Sequence, residues 1–391
     1  AIGAFSLSVS TTANSNTAVG TSTLTNTSTG TANTAVGSSA LTANTTGDFN
    51  TGIGSSALSS NTTGIYNTGI GGQALAANTT ANNNIAVGLN ALLVNTTGAN
   101  NAAVGTFALD ANTTADNNTA LGYNALTTNT TGHSNTAAGA ESLDANTTAN
   151  YNTGFGFRTI SDNSTGTRLS ALGAGALKAN TTADDNTAIG YDALNANTTG
   201  TRNTAIGSGS LDANTTASDN TACGYNALTT NTTGTANSGF GKGALSDCST
   251  GDHNTALGYN SSNVLTTGES NVSVGSQSME NTTTGLNNTA VGRQALQNNT
   301  TGSRNVSIGT NSLDANTTAN HNVAVGDGAA KSNTTGTQNV AVGSASLDAN
   351  TTGSNLTAVG YEALGSNTTG SHNTAVGTSS SASITTGNLN V

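Results

Sequence analysis

The residues of this chain that could do chemistry are few and scattered. Its four histidines, His133, His253, His321 and His372, stand far apart in the chain and show no metal-ligand spacing, whereas a metal or acid–base site needs several such groups converging on one point. Asp116, Asp184, Asp185 and Asp219 are acidic groups that could hold Ca2+ between neighbouring turns, but the glycine and aspartate nonapeptide pattern of calcium-binding solenoids is missing. Cys223 and Cys248 fall at different points of the chain's repeat, so they are read as small buried hydrophobes rather than as a pair. Gly-x-Gly fragments at Gly69 to Gly71 and Gly207 to Gly209 lie in no βαβ unit and are not nucleotide loops. No Walker motif and no nucleophile elbow occurs. The expectation is a protein without catalytic residues, metal or cofactor.

What positions every one of these residues is a repeat. The stretch Asn186 to Arg202, NTAIGYDALNANTTGTR, recurs every 17 residues with no insertion or deletion. Its opening Asn runs Asn16, Asn33, Asn50, Asn67 and on to Asn390, and only Leu169 and Leu356 replace it. A fixed short period reads as one solenoid rather than as several globular domains. Composition agrees: charged residues are 7%, aromatics 3% and proline is absent, too little large apolar mass for a globular core. Disorder is excluded by strictly placed Leu, Val and Ile. The net charge of −11, with only 8 Lys and Arg, leaves no basic stripe for nucleic acid. No apolar run approaches a membrane span. The chain starts and stops in mid-unit, at Ala1 and Val391, which reads as an excerpt of a longer repetitive protein or as ends that stack head to tail.

Numbering the places of the unit from that Asn, the fifth is always Gly, as in Gly20, Gly37, Gly190, Gly207 and Gly377, which marks a turn that needs positive φ or close backbone approach. Before it stands a short strand with an apolar fourth place, expected to face inward. After it a second strand-like run leads to Leu at the ninth place, as in Leu41, Leu126, Leu194, Leu211 and Leu364, expected to be the large core residue. Thr fills the fourteenth place throughout and leads into a solvent-exposed turn. Two short strands and two turns per 17 residues describe one coil of an all-β, parallel β-solenoid, a β-roll of 23 coils, left-handed by expectation. At ~4.8 Å per rung it would form a rod on the order of 110 Å long.

The twelfth place is Asn in most units, as in Asn44, Asn95, Asn180, Asn197 and Asn367, and the resulting Asn-Thr-Thr matches an N-glycosylation site. Glycans at every ~4.8 Å rung would collide. Moreover, where the ninth-place Leu becomes Ser262 or Ser381, the twelfth becomes Leu265 or Ile384. Apolar mass lost at one place reappears at the other, so both are expected to face inward, with the asparagines stacked as an amide ladder; sparse glycosylation is the alternative. A weaker period of 34 overlies the first. It places Tyr123, Tyr191, Tyr225, Tyr259 and Tyr361 at the sixth place, and Asp110, Asp144, Asp212, Asp314 and Asp348 at the tenth. Duplication of a two-unit block accounts for it; a 34-residue coil would stack carboxylates directly on one another.

The string Gly-x-x-Asn-Thr-Ala-Val/Ile-Gly-x-x-Ala-Leu, as in Gly200 to Leu211 (GTRNTAIGSGSL), resembles the head repeats of trimeric autotransporter adhesins, the YadA-like left-handed parallel β-roll, and similar repeats of phage-type tail fibres. The unit here is longer by about three residues, contributed by the Asn-Thr-Thr turn. The resemblance implies a three-chain parallel rod displayed outside a cell or on a particle. Self-association as a homotrimer or a head-to-tail filament is the expected partnership, with a host or surface receptor as a further partner. The expected function is a structural or adhesive extracellular fibre, its contacts coming from exposed variable places such as the Tyr edge. Ice binding by Thr arrays is the alternative, set against it by Thr pairs that are adjacent rather than alternate. A carbohydrate-processing tail spike would need paired carboxylates in a groove, and none is found.

Overall fold

The computed structural model describes residues 1–390; Val391, and with it any head-to-tail junction, lies outside the described residues. The chain forms two compact units, Ala1–Thr199 and Gly200–Val391. In the first, eleven three-residue strands run from β1 (Thr17–Val19) to β11 (Thr187–Ile189); in the second, eleven more run from β12 (Thr204–Ile206) to β22 (Thr374–Val376). Within each unit successive strands pair in parallel at a register of one repeat, for example Thr17↔Thr34 and Thr204↔Thr221. The fold is an all-β parallel solenoid with one 17-residue coil per rung. Among the described residues there is no helix.

Hydrogen bonds between rungs continue well beyond the strands. Thr51 N–H donates to Asn67 O at 2.8 Å, Leu41 to Ala57 O at 3.0 Å, Thr45 to Thr62 O at 2.9 Å and Phe49 to Thr31 O at 3.0 Å. Every part of the coil is thereby tied to a neighbouring rung, which is how so thin a body satisfies its backbone.

The second run is not a strand. Its seventh and ninth places adopt left-handed backbone, as at Ser39 (φ 60) and Leu41 (φ 52), and it closes two successive turns in which Ala57 N–H donates to Gly54 O and Asn61 N–H to Leu58 O. At each of these left-handed places the backbone turns, so the run folds back on itself rather than extending at the ~3.3 Å per residue of a strand. Left-handed conformation costs a Leu roughly 1–2 kcal/mol, offset at each rung by burial of its whole side chain.

The strand's facing differs from the sequence expectation as well. The third place is buried, as at Ala18, Ala35 and Ala188, while the apolar fourth place points outward. Alternation along a strand allows only one of the two to face in. The interior decides which: a Cβ added at Gly52 would already lie 3.3 Å from Leu41 Cγ, so there is room for a methyl group but not for Val. The core is therefore Leu from the ninth place plus Ala or another small residue from the third and eighth places. Cys223 follows its place outward and is only partly buried, contrary to the buried reading, whereas Cys248 is buried; both thiols are free.

Candidate functional site

The other half of each coil interior is polar. Asn61 Nδ2 donates to Asn44 Oδ1 at 2.9 Å, and Asn78 Nδ2 to Asn61 Oδ1 at 2.8 Å. From Asn44 to Asn197 each twelfth-place amide so passes its hydrogen bond to the next rung. Asn95, Asn180 and Asn197 continue this buried column in the first unit, and Asn367 is buried at the same place of its coil in the second. A second column, unassigned in the sequence reading, is formed by the opening Asn. Asn67 accepts at Oδ1 from Asn84 N–H (3.0 Å) and donates through Nδ2 to Ala81 O (2.8 Å), which also accepts from Asn78 Nδ2 at 3.2 Å. Two amide ladders share one carbonyl per rung and close the coil on itself. The signal was available: Leu169 and Leu356, the only replacements of that Asn, are buried, and an apolar substitute marks an inward place.

The fifth-place glycines Gly20, Gly37 and Gly190 of the first unit, and Gly207 and Gly377 of the second, have φ between 124 and 139. A Cβ on Gly20 would meet Gly37 O at 2.6 Å, so both backbone angle and rung spacing demand glycine there. Leu41, Leu126 and Leu194 in the first unit, and Leu211 and Leu364 in the second, are fully buried.

The residues with chemical potential are held in structural contacts. Asp116 Oδ1 accepts from Ala99 N–H at 2.7 Å and Asp184 Oδ1 from Thr167 N–H at 2.7 Å. Asp48 and Asp252 do the same for Thr31 and Thr235, each at 2.6 Å. Such caps recur at the sixteenth place of alternate coils, through Asn82, Asn150 and Asn320 too, with a break at Leu286 and additional caps from Ser303 and Ser371 in the intervening coils. Asp185 pairs with Arg168 and Asp219 with Arg202, each at 2.6 Å. The Arg202 hydrogen bond holds the Asp219 carboxyl below the usual range. His133 packs edge-on against Tyr151, and His253, His321 and His372 are exposed on separate rungs. Among the described residues no group of three or more His, Cys, Asp or Glu is placed to hold a metal.

What the coil presents to solvent is columns. The fourth place gives an exposed apolar column: Val19, Ile53, Ile70, Val104, Leu121, Phe155, Leu172 and Ile189 in the first unit, and Ile206, Phe240, Leu257, Val291 and Ile308 in the second. The second place beside it is mostly Thr, with Ile85 and Val272 also exposed. The fourteenth-place Thr is exposed in both units. The sixth place carries Tyr123 and Tyr191 in the first unit and Tyr225, Tyr259 and Tyr361 in the second, all exposed. Among the described residues no helix is long and apolar enough to cross a membrane. No protein-family model matches this chain, and no curated protein is similar to it.

Proposed function

We propose that this chain is a structural and adhesive extracellular fibre segment that self-associates side by side through the outward face of its strands. One observation carries the reading: an apolar side chain at the fourth place of nearly every rung is left on the surface, Leu121 at 52% exposure among them. Contiguous apolar surface of that kind marks an association site. A second copy of the chain has the same rung spacing, so its column meets this one in register along the full length of a unit. The side chains vary from Val to Phe, an uneven surface suited to interdigitation and poorly suited to a flat ice lattice. Placement outside a cell, and three as the number of chains, rest on the resemblance to adhesin heads and tail fibres.

The test is native mass by light scattering and cross-linking, for the chain and for an Ile70→Lys/Leu121→Lys variant. Both substitutions lie on the outward face, so the coil keeps its interior. The expected result is an oligomer that the two lysines convert to monomer with the β-sheet circular dichroism unchanged. A wild-type monomer at micromolar concentration overturns the reading.

A further inference from the structure

In the first unit the sixth and seventh places form a comb along the solenoid. Phe157 and Arg158 stand on one rung, Ala174 and Gly175 on the next, and Tyr191 and Asp192 on the one after. The two smallest residues thus sit between two rungs that each carry an exposed aromatic ring, Phe157 and Tyr191, the latter 63% exposed. The result is a cavity of about 300 Å3 bounded by these residues together with Lys178 and Asn195, at the small end of the ligand-site range of ~300–1,000 Å3. Gly175 holds left-handed backbone (φ 71), and a Cβ there would run into Asp192 Oδ1, so the floor admits no larger residue without moving that carboxylate.

The polar groups of the slot are set by the coil. Asn195 Nδ2 donates to Gly175 O and to Asp192 Oδ1, both at 3.0 Å, which fixes the carboxylate at the mouth. Arg158 borders the slot, but its guanidinium is tied to Glu141 on the preceding rung at 2.5 Å and lies 5.2 Å from the Phe157 ring centroid. Lys178 adds a donor. Two aromatic walls, one carboxylate acceptor and amide and ammonium donors are therefore gathered within one chain.

We infer that this slot binds a single ring of a neutral saccharide, held between Phe157 and Tyr191 with its hydroxyls on Asp192, Asn195 and Lys178. The walls are two rungs apart, roughly 10 Å. The C–H groups of a pyranose can pack against exposed aromatic rings such as Phe157 and Tyr191. Its hydroxyls donate and accept, matching the mixed rim, and it carries no charge to be placed between a lysine and an aspartate.

The second unit repeats the pair of rings but not the polar rim, since Asn260 stands at the place of Asp192 and Ser246 at that of Lys178. Tyr225 and Tyr259 flank a rung bearing Lys242 and Gly243, and the Lys242 ammonium lies 5.8 Å from both ring centroids. The chain's own cation fills the space that Ala174 leaves open. The site is complete in one chain, so it does not depend on self-association.

The experiment is calorimetric and NMR titration of the full chain with the methyl glycosides of glucose, galactose and N-acetylglucosamine, their β-linked disaccharides, and adenosine as a flat control. One saturable saccharide site per chain is expected. Ala174→Lys, which copies the Lys242 rung, abolishes it, and Tyr191→Ala weakens it about tenfold. Tyr191 is exposed and Ala174 partly exposed, and circular dichroism of each variant checks that the coil is intact. Absence of saturable saccharide binding up to tens of millimolar, binding indifferent to both Ala174→Lys and Tyr191→Ala, or tighter binding of adenosine than of any saccharide overturns the inference. Native mass, read on the same samples, reports on the fibre proposal separately.

Discussion

The two units share one coil but differ in the spine that runs through it. In the first, the twelfth-place amides from Asn44 to Asn197 pass a hydrogen bond from rung to rung without a break. In the second, the column reads Asn231, Cys248, Leu265, Thr282, Asn299. The Cys248 thiol still reaches Gly251 O at 3.5 Å, yet Asn231 Oδ1 is left buried without a partner, because the rung that should supply its donor carries sulfur. Burial pushes the Cys248 thiol up to about 12, so it stays neutral. At the next rung Leu265 fills the volume vacated by Ser262, both fully buried. The polar half and the apolar half of the interior can thus trade places within a rung. What a rung requires is filled volume and a satisfied shared carbonyl, and the ladder is one of two ways to provide them.

The most disruptive way to probe that exchange is to impose it on the unbroken spine. Leu126→Ser removes a fully buried Leu, with an expected loss of about 3 kcal/mol. Asn129→Leu strips Asn112 Oδ1 of its donor and Asn146 Nδ2 of one acceptor, with an expected loss of about 2 kcal/mol. The double variant reproduces the Ser262 and Leu265 rung, and its loss should fall short of the sum by at least ~1 kcal/mol. Hydrogen exchange of the rung amides reads this locally, as a repeat array demands. Simple additivity would mean that the native exchange in the second unit is not compensatory.

Repair of the gap is the converse and a smaller effect. Cys248→Asn alone gives Asn231 a donor but leaves its own oxygen facing Leu265, so it should be neutral. Replacing Cys248, Leu265 and Thr282 by Asn, with Ser262→Leu, makes the spine continuous and should add about 1 kcal/mol per restored bond, seen as slower exchange between Asn231 and Asn299. In the wild type a thiol reagent should modify the partly buried Cys223 faster than Cys248, which reacts only as these rungs open. Equal rates at the two thiols would show the gap to be no barrier.

These spines explain what could be read from the residues and what could not. The period, the fifth-place turn and the one-coil repeat were legible because glycine at a fixed place has a steric cause, seen in the carbonyl of Gly37 beneath Gly20. The linked changes at Ser262 and Leu265 pointed both places inward. The facing of the strand was misread: a three-residue strand offers no alternation long enough to fix its parity, and the large apolar residue was assigned to a core that holds only methyl groups there. The left-handed run was hidden by Leu at the ninth place, a residue that rarely adopts it. The saccharide slot needs residues 17 apart in sequence to be neighbours in space, and becomes visible only once Phe157, Ala174 and Tyr191 are aligned by place.

Carboxylates sharpen the comparison further, because burial raises Asp144 in the first unit and Asp314 in the second while an ion pair lowers Asp219. In the first, burial is the main cause that raises the half-buried Asp144 carboxyl, reinforced by Glu141 and Asp162 and opposed by its own backbone N–H and by Arg158. A raised folded value contributes stability below the unfolded value of ~3.9 and loses it as pH rises through the folded one. Amides near Asp144 should therefore exchange more slowly, relative to the intrinsic rate, as pH falls from 7 toward 4, and Asp144→Asn should remove that trend. In the second unit Asp219 is lowered by Arg202, so its contribution is present above ~3.9 and disappears as pH falls through the folded value.

The smallest effect expected is at that same pair. Arg202 and Asp219 are bonded at 2.6 and 2.9 Å through two nitrogens, but both side chains are about half exposed, where water and salt screen an ion pair. Arg202→Gln should leave stability within the scatter of surface substitutions while abolishing the acid-side loss assigned to Asp219. The same substitution should matter less still at high salt. A loss comparable to Leu126→Ser would place the cohesion of these rungs in their surface charges rather than in the amide and leucine columns, and would reverse the comparison on which the two units are distinguished.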